Sequence, residues 1–285
     1  MSAYTTLFGG VKPLIGMIHL RPLPGSPKGG DLDDVLAAAQ TDAEVLTGAG
    51  VDAMILENFG DAPFAKDRVP AVTIAAMAVI ARELRKDHNV PLGVNVLRND
   101  AGSALSIATV ANADFIRVNV HVGAVVADQG VIEGKARETL LLRKTLGSSV
   151  LLFADVRVKH ARPLGSVEPG PLGSDDLATE ARDVFRRGLA DALILSGVAT
   201  GSPADPSDFR RVKSALPAAP LLVGSGVDAD NLEDFWPVAD GMIVGSCLKK
   251  SDDPTQPVDP VRAREVLTVA SQLRRASQGA RTGEG

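Results

Sequence analysis

Runs of apolar residues about four to eight long alternate with longer segments whose apolar positions recur at helical spacing, from Lys12 to about Arg275. The short runs are rich in Val and Ile and flanked by Gly or Pro, which favours strand over helix. They predict strands at Leu14–Leu20, Ala53–Glu57, Leu92–Leu97, Phe115–Val120, Val150–Val156, Ala192–Ser196, Pro220–Val223 and Gly241–Val244. The segments between them predict helices at Leu32–Thr47, Ala71–Lys86, Ser103–Ala111, Ile132–Leu146, Asp176–Arg187, Pro206–Leu216, Asp230–Phe235 and Val261–Arg275. Asp31 stands where the first of these needs an N-cap, and Gly48, Gly147 and Gly188 where three of them stop. This alternation favours an α/β fold closed as a single-domain (β/α)8 TIM barrel over an open doubly wound sheet. The barrel is expected over 12–275, with an N-terminal extension at 1–11 and a polar, glycine-rich, disordered tail at 276–285.

A two-strand repeat supports closure. The even-numbered strands are introduced by a small residue and an aspartate: Val51-Asp52, Ala113-Asp114, Ala190-Asp191 and Ala239-Asp240. Three odd-numbered strands begin Pro-Leu, at Pro13, Pro91 and Pro220. A fourfold period suits a barrel of four similar quarters. The aspartates fall at the bottom of the strands, where residues serve stability rather than chemistry.

Strand side chains alternate between two faces, and in a barrel the inward face can turn polar only near its solvated top. In the fourth strand Ile116, Val118 and Val120 alternate with Arg117, Asn119 and His121; in the fifth, Val156 and Val158 alternate with Asp155, Arg157 and Lys159. In the third, Val94 and Val96 alternate with Gly93 and Asn95. His19, Glu57, Asn58, Asn99, Asp100, Ser196 and His160 stand at comparable heights. Polar groups gathered at the C-terminal strand ends predict a shared cavity whose acids, bases and imidazoles suit acid–base catalysis. The competing reading is an ion-pair network that caps the core.

Two glycine-serine elements, Gly224-Ser225-Gly226 and Gly245-Ser246, follow the seventh and eighth strands. Phosphate often binds there in such barrels, because glycine lets backbone N–H groups approach the oxygens. Ser196 and Gly197, opening Ser196-Gly197-Val198-Ala199-Thr200-Gly201, could add donors to the same ligand or belong to a flexible loop. Lys249 is a further candidate charge, though a Lys-Lys pair is more often solvated surface. The prolines of Arg21–Pro27 stiffen one loop at the mouth, Asp128-Gln129-Gly130 marks another, and Arg162–Asp175 has the composition of a lid or contact loop.

Composition narrows the partners. The 285 residues carry a formal net charge of −5, which does not suggest a nucleic-acid binder. A single cysteine, Cys247, rules out an internal disulfide and fits a reducing, cytoplasmic setting. No apolar run approaches a transmembrane length, and the first residues lack a signal-peptide pattern. A variant reading adds a divalent metal, Mg²⁺ or Mn²⁺, with Glu57, Asp155 and His19 as candidate ligands.

Several segments together resemble the BtpA family, which includes the SgcQ proteins. They are Gly16–Leu20 running into Pro22–Pro27, Glu57–Phe64, Gly93–Asp100, Phe115–Val120, Asp128–Gly130 and Asp155–His160. The resemblance spans nearly the whole chain and implies a barrel of the ribulose-phosphate-binding type. It also implies two roles that differ: photosystem I biogenesis in cyanobacteria, at the level of protein accumulation, and, for SgcQ-type members, sugar metabolism with a nucleotide-hydrolase label.

The favoured expectation is an enzyme that binds a phosphorylated sugar or nucleotide-like ligand and performs isomerase, epimerase or lyase chemistry. The phosphate would rest on Gly224, Ser225, Gly226, Gly245 and Ser246. Asp155 or Glu57 would be the base, His19 or His121 the acid, and Lys159 and Arg117 would stabilise developing negative charge, with Asn95 and Asn119 beside them. Lys159 could instead form an imine. The alternatives are a non-enzymatic assembly factor and a phosphate-ester or nucleotide hydrolase, the latter without a Walker-type loop. Barrels of this kind often associate, so a homo-oligomer is also expected.

Overall fold

A computed structural model describes residues 1–164, 176–197 and 204–282. Its strands are β1 (Leu14–His19), β2 (Ala53–Glu57), β3 (Leu92–Asn95), β4 (Phe115–Val118), β5 (Ala124–Ala127), β6 (Gly130–Glu133), β7 (Leu151–Arg157), β8 (Ala161–Pro163), β9 (Ala192–Leu195), β10 (Leu221–Val223) and β11 (Gly241–Val244). Eight of them close a parallel barrel in the order β1-β2-β3-β4-β7-β9-β10-β11, and β11 pairs back to β1. The helices are α1 (Ala3–Leu7), α2 (Leu32–Ala49), α3 (Ala71–Asp87), α4 (Ala101–Ala111), α5 (Ala136–Thr145), α6 (Asp176–Arg182), α7 (Pro206–Ala215), α8 (Leu232–Phe235) and α9 (Pro260–Thr282). α6 continues as a π-helical turn, Asp183–Arg187. α2 runs past Gly48 and stops at Gly50, which takes φ 93°.

The two-residue alternation divides the core in two. Leu14, Ile18, Met54, Leu56, Val94 and Ile116 face the helices. Ile15, Met17, Ile55, Phe115, Phe153 and Ile243 fill the barrel interior. Phe115 and Phe153 stack at 4.6 Å between centroids. Gly93 makes room for this: a Cβ there would lie 2.2 Å from the Phe115 ring.

The four aspartates of the repeat each accept a backbone N–H at the start of a neighbouring strand. Asp52 takes Leu14 at 2.8 Å, Asp114 takes Leu92 at 2.9 Å, Asp191 takes Leu152 at 2.8 Å and Asp240 takes Leu221 at 2.9 Å. Each is also paired with a helix-borne cation: Asp114, Asp191 and Asp240 with Arg85, Arg143 and Lys213 from the helix that leads into the strand held, and Asp52 with Arg274 from the last helix, α9. The repeated dipeptide is thus a staple at the bottom of each quarter, and it leaves the top free for chemistry.

The N-terminal extension takes a defined structure, and two expectations are corrected. The extension at 1–11 is folded: α1 presents Tyr4 and Phe8 to the barrel floor, where the Tyr4 hydroxyl donates to the Asp240 carbonyl at 3.0 Å and Phe8 lies 6.5 Å from Phe115. The expected disordered tail is helical through Thr282, because Ser277 on α9 accepts from the Trp236 indole at 3.0 Å and holds that turn to the body; residues 283–285 lie outside the described residues. The helix expected from Ile132 begins at Ala136. Val131 and Ile132 instead form β6, paired to β5 across a tight turn at Asp128-Gln129, with β8 on the other side. Ile132 is buried with Val120 and Val158, so this small sheet has its own apolar seat beside the mouth.

Candidate functional site

The inward row of every barrel strand ends in a polar residue or a glycine. Strand register sets His19 beside Glu57, Glu57 beside Asn95, and Asn95 beside Arg117. Asp155 continues this set on β7. Ser196, Gly224 and Gly245 follow the last residues of β9, β10 and β11. Above them opens a cavity of about 460 Å³ at the C-terminal ends of the strands.

His19, Glu57, Arg117, Asn119 and Lys159 line this cavity, as do both glycine-serine elements, Gly224–Gly226 and Gly245-Ser246. Gly224 sits over Ser196: a Cβ on it would stand 2.4 Å from Ile194 Cγ2 and 2.5 Å from Ser196 Oγ. Gly245 likewise abuts His19, 3.1 Å from its Cε1. Gly197 is buried next to Ser196. The rest of that expected loop, Val198-Ala199-Thr200-Gly201, lies outside the described residues, as does 165–175 of the expected lid.

Asp155 and Asn95 support the lining rather than belong to it. Arg117 forks onto Asp155 through Nε at 3.1 Å and an η nitrogen at 2.9 Å, and Asn119 Nδ2 donates to the same carboxylate at 2.9 Å. With three donors bound and a side chain wholly buried, Asp155 orients Arg117 and Asn119 and is poorly placed as the free base. Glu57 faces the cavity and accepts from Asn95 Nδ2 at 2.6 Å, which fixes its rotamer. Arg117 is held above its ordinary pKa: burial opposes the charge, and Asp155 with Glu57 outweighs burial.

His19 Nε2 lies 3.9 Å from Glu57 Oε1, too far for a hydrogen bond. Burial, then the charges of Lys249, Lys159 and Arg117, push its pKa down to about 3, so the ring is neutral at pH 7. Lys159 is also shifted down, by burial first and then by Arg117. Four polar atoms at the mouth are buried without a partner among the described residues: His19 Nδ1, Asn119 Oδ1, Ser196 Oγ and Ser225 Oγ.

Three expected contributors point elsewhere. His121 is buried on the barrel flank, where Nε2 donates to the Gly188 carbonyl at 2.7 Å. β4 ends at Val118, and Asn99 clamps both backbone groups of Val120, at 2.8 and 2.9 Å, which turns the chain outward before His121. Asn58 holds Leu97 in the same way, and Asp100 caps α4, so these mouth-level polar residues shape the strand exits. Arg157 is diverted by a register shift between Asp155 and Arg157 and pairs with Glu180 on the outside at 2.8 Å. Lys249 is wholly buried behind the barrel, 2.6 Å from Asp42.

The structure adds residues that alternation did not single out. Arg98 is buried and lines the cavity, its guanidinium donating to the Lys159 carbonyl at 2.7 Å. Phe59 and Phe64 form an aromatic wall, with Phe59 4.9 Å from the His19 ring. Asp128 and Gln129, at the β5–β6 turn, reach the same space. Their signal in the sequence was the Asp128-Gln129-Gly130 turn; alternation gave none for Arg98, because it lies beyond the end of β3, although it falls in the Gly93–Asp100 segment of the family resemblance. Among the described residues no three of His, Cys, Asp and Glu gather as metal ligands. Glu57 and Asp155 do not fit a divalent ion, since Asp155 is occupied by Arg117 and Asn119 and cations surround both.

Solved barrels of similar architecture include N-(5'-phosphoribosyl)anthranilate isomerase from Pyrococcus furiosus, with TM-score 0.55 and 16% identity over 91% of this chain and 99% of that one. A Mycobacterium tuberculosis tryptophan synthase structure gives TM-score 0.56 at 14% identity over 94% and 96%. At these identities the likeness speaks to fold alone. Among the described residues no helix is long and apolar enough to cross a membrane. Sequence relatives are much nearer. An uncharacterized protein of Thermococcus kodakarensis is 48% identical over 93% of this chain and 98% of its own. The Photosystem I biogenesis protein BtpA of Synechocystis is 46% identical over 91% and 88%. The putative sgc region protein SgcQ of Escherichia coli is 30% identical over 96% and 100%. The model described as BtpA family matches residues 10–272, and the chain belongs to that family.

Proposed function

We propose that the protein is an enzyme that binds a phosphorylated sugar or nucleotide-like molecule in the 460 Å³ cavity and moves a proton on it, as isomerases, epimerases and lyases do. The observation that carries this reading is the set of buried polar atoms without a partner among the described residues, His19 Nδ1, Asn119 Oδ1, Ser196 Oγ and Ser225 Oγ, around one cavity. An unsatisfied buried polar atom costs about 1–3 kcal/mol. A bound ligand recovers that cost, and a purely structural cap would have no reason to bear it.

The phosphate rests against Gly224, Ser225, Gly226, Gly245 and Ser246, with Ser196 behind Gly224. Glu57, open to the cavity and steadied by Asn95, removes the proton. The neutral His19 offers one N–H to polarise a ligand oxygen, a role for which a depressed imidazole pKa is suited. Arg117 and Lys159 stabilise the negative charge that develops.

The test is a thermal-shift screen against phosphosugars, nucleotides and inorganic phosphate, since a ligand of the native state raises the melting temperature. A shift in the wild type that Ser225→Asp abolishes is expected. The absence of a shift with every phosphate compound at millimolar concentration would overturn the reading. It would favour an assembly role of the kind that the Synechocystis relative's name describes, carried by the outer surface.

A further inference from the structure

Three buried cations, Arg98, Arg117 and Lys249, and the half-buried Lys159 differ in what neutralises them. Arg117 has Asp155 at 2.9 Å and Lys249 has Asp42 at 2.6 Å. Arg98 is 8% exposed and has no ion pair among the described residues. The one hydrogen bond its guanidinium makes there is to the Lys159 carbonyl. A guanidinium carries five N–H donors in a planar fork, so most of Arg98's donors remain for the cavity it lines. Lys159 lines the same cavity, and its ammonium makes no hydrogen bond or ion pair among the described residues. Glu57, Asp155 and Asp128 act on Arg98 only at a distance, and burial holds its pKa below the usual guanidinium value. A desolvated cation without a carboxylate is costly, and a matching anion removes that cost.

Topology sets where this cation stands. In the closed order β1-β2-β3-β4-β7-β9-β10-β11, the strand across the barrel from β10 is β3, and the one across from β11 is β4. Gly224–Gly226 and Gly245-Ser246 leave β10 and β11, whereas Arg98 leaves β3. The phosphate elements and Arg98 therefore face one another over the mouth, with Glu57, His19 and Arg117 in the row below.

We propose that the ligand carries two anionic groups, one at each end: a phosphate on the β10 and β11 loops, and a second anion, a carboxylate or another phosphate, gripped by Arg98 in the field of Lys159. This rests on the phosphate reading above and narrows it to phosphorylated sugar acids or sugar bisphosphates. Arg98 is then the residue that sets specificity, because a planar fork pairs with carboxylate or phosphate through two parallel bonds. A neutral hydroxymethyl end leaves the fork empty.

The experiment is calorimetric titration with matched pairs that differ at one end only. The pairs are phosphoglycerate against glycerol phosphate, phosphoerythronate against erythritol phosphate, phosphogluconate against sorbitol phosphate, and fructose bisphosphate against fructose monophosphate. In at least one pair the doubly anionic member is expected to bind about tenfold tighter or more. If that pair is one of the first three the second anion is a carboxylate, and if it is the last it is a phosphate. Arg98→Gln is expected to erase the preference and leave the singly anionic member within about threefold. Arg98→Lys keeps the charge without the fork and retains part of the preference, which separates recognition from misfolding. Ser225→Asp weakens both members of every pair. Equal binding within all pairs, or equal weakening of both members by Arg98→Gln, refutes the second anion and leaves the phosphate reading in place. If no compound binds, the phosphate reading falls and this inference with it.

Discussion

Removing Asp42 tests the buried pair behind the barrel. Its carboxylate accepts from Lys249 Nζ at 2.6 Å and from the Val258 backbone N–H at 2.7 Å. At that separation the gross attraction in an effective dielectric of about 20 is about 6 kcal/mol. Desolvation of two buried ions offsets most of it, so the intact pair adds little net stability. Asp42→Ala keeps the desolvated ammonium and removes its partner, and such losses cost about 3–5 kcal/mol. Asp42→Ala combined with Lys249→Met removes both charges and is expected to recover much of that loss. The assay is calorimetric melting of the wild type, both single variants and the double variant, which closes a thermodynamic cycle. A loss below about 1 kcal/mol for Asp42→Ala would mean that Lys249 reaches water or another partner, and would refute the argument.

Protonation of His19 gives a pH signature. With a folded pKa of about 3 against an ordinary 6.5, the folded state binds fewer protons than the unfolded state between those values. The linked stability is full above pH 6.5 and is lost as pH falls toward 3, at about 1.4 kcal/mol per pH unit. Wild type should thus lose stability on acidification faster than His19→Gln, and parallel curves from denaturant titrations would count against a buried neutral imidazole. Gly224→Ala forces a methyl to within 2.4 Å of Ile194 and 2.5 Å of Ser196, and it is expected to cost about 1–3 kcal/mol and to weaken phosphate binding in the thermal-shift screen. His121→Ala should lower stability by about 1–3 kcal/mol, because the buried Gly188 carbonyl loses its donor, yet leave ligand affinity unaltered. A loss of affinity with unchanged stability would return His121 to the mouth.

Strand alternation was legible because it is local. Side chains two residues apart share a face whatever the rest of the chain does, so Ile15, Met17 and His19, or Ala53, Ile55 and Glu57, could be assigned to the interior with their polar member uppermost. The glycine-serine pairs after the last two barrel strands were legible for the same reason, since their place follows from counting strands. The aspartate repeat was visible as a pattern, and the structure supplies its mechanism in the strand-start N–H groups and helix-borne cations that the carboxylates hold.

Where the ladder ends, the two-residue rule stops. Beyond Val118 the direction of His121 depends on the grip of Asn99 on Val120, and beyond Asp155 a register shift sends Arg157 to Glu180. Val131-Ile132 satisfied both a helical and a strand reading, and the apolar seat formed by Val120 and Val158 decided between them. Lys249 reads as a surface lysine until α2 brings Asp42 against it across 207 positions of the chain. The chain alone determined the family, the closed barrel and the polar rim of its interior. Only the tertiary structure decided which polar groups neutralise one another and which face an open cavity, because charge pairing depends on distances of a few ångströms between residues far apart in sequence.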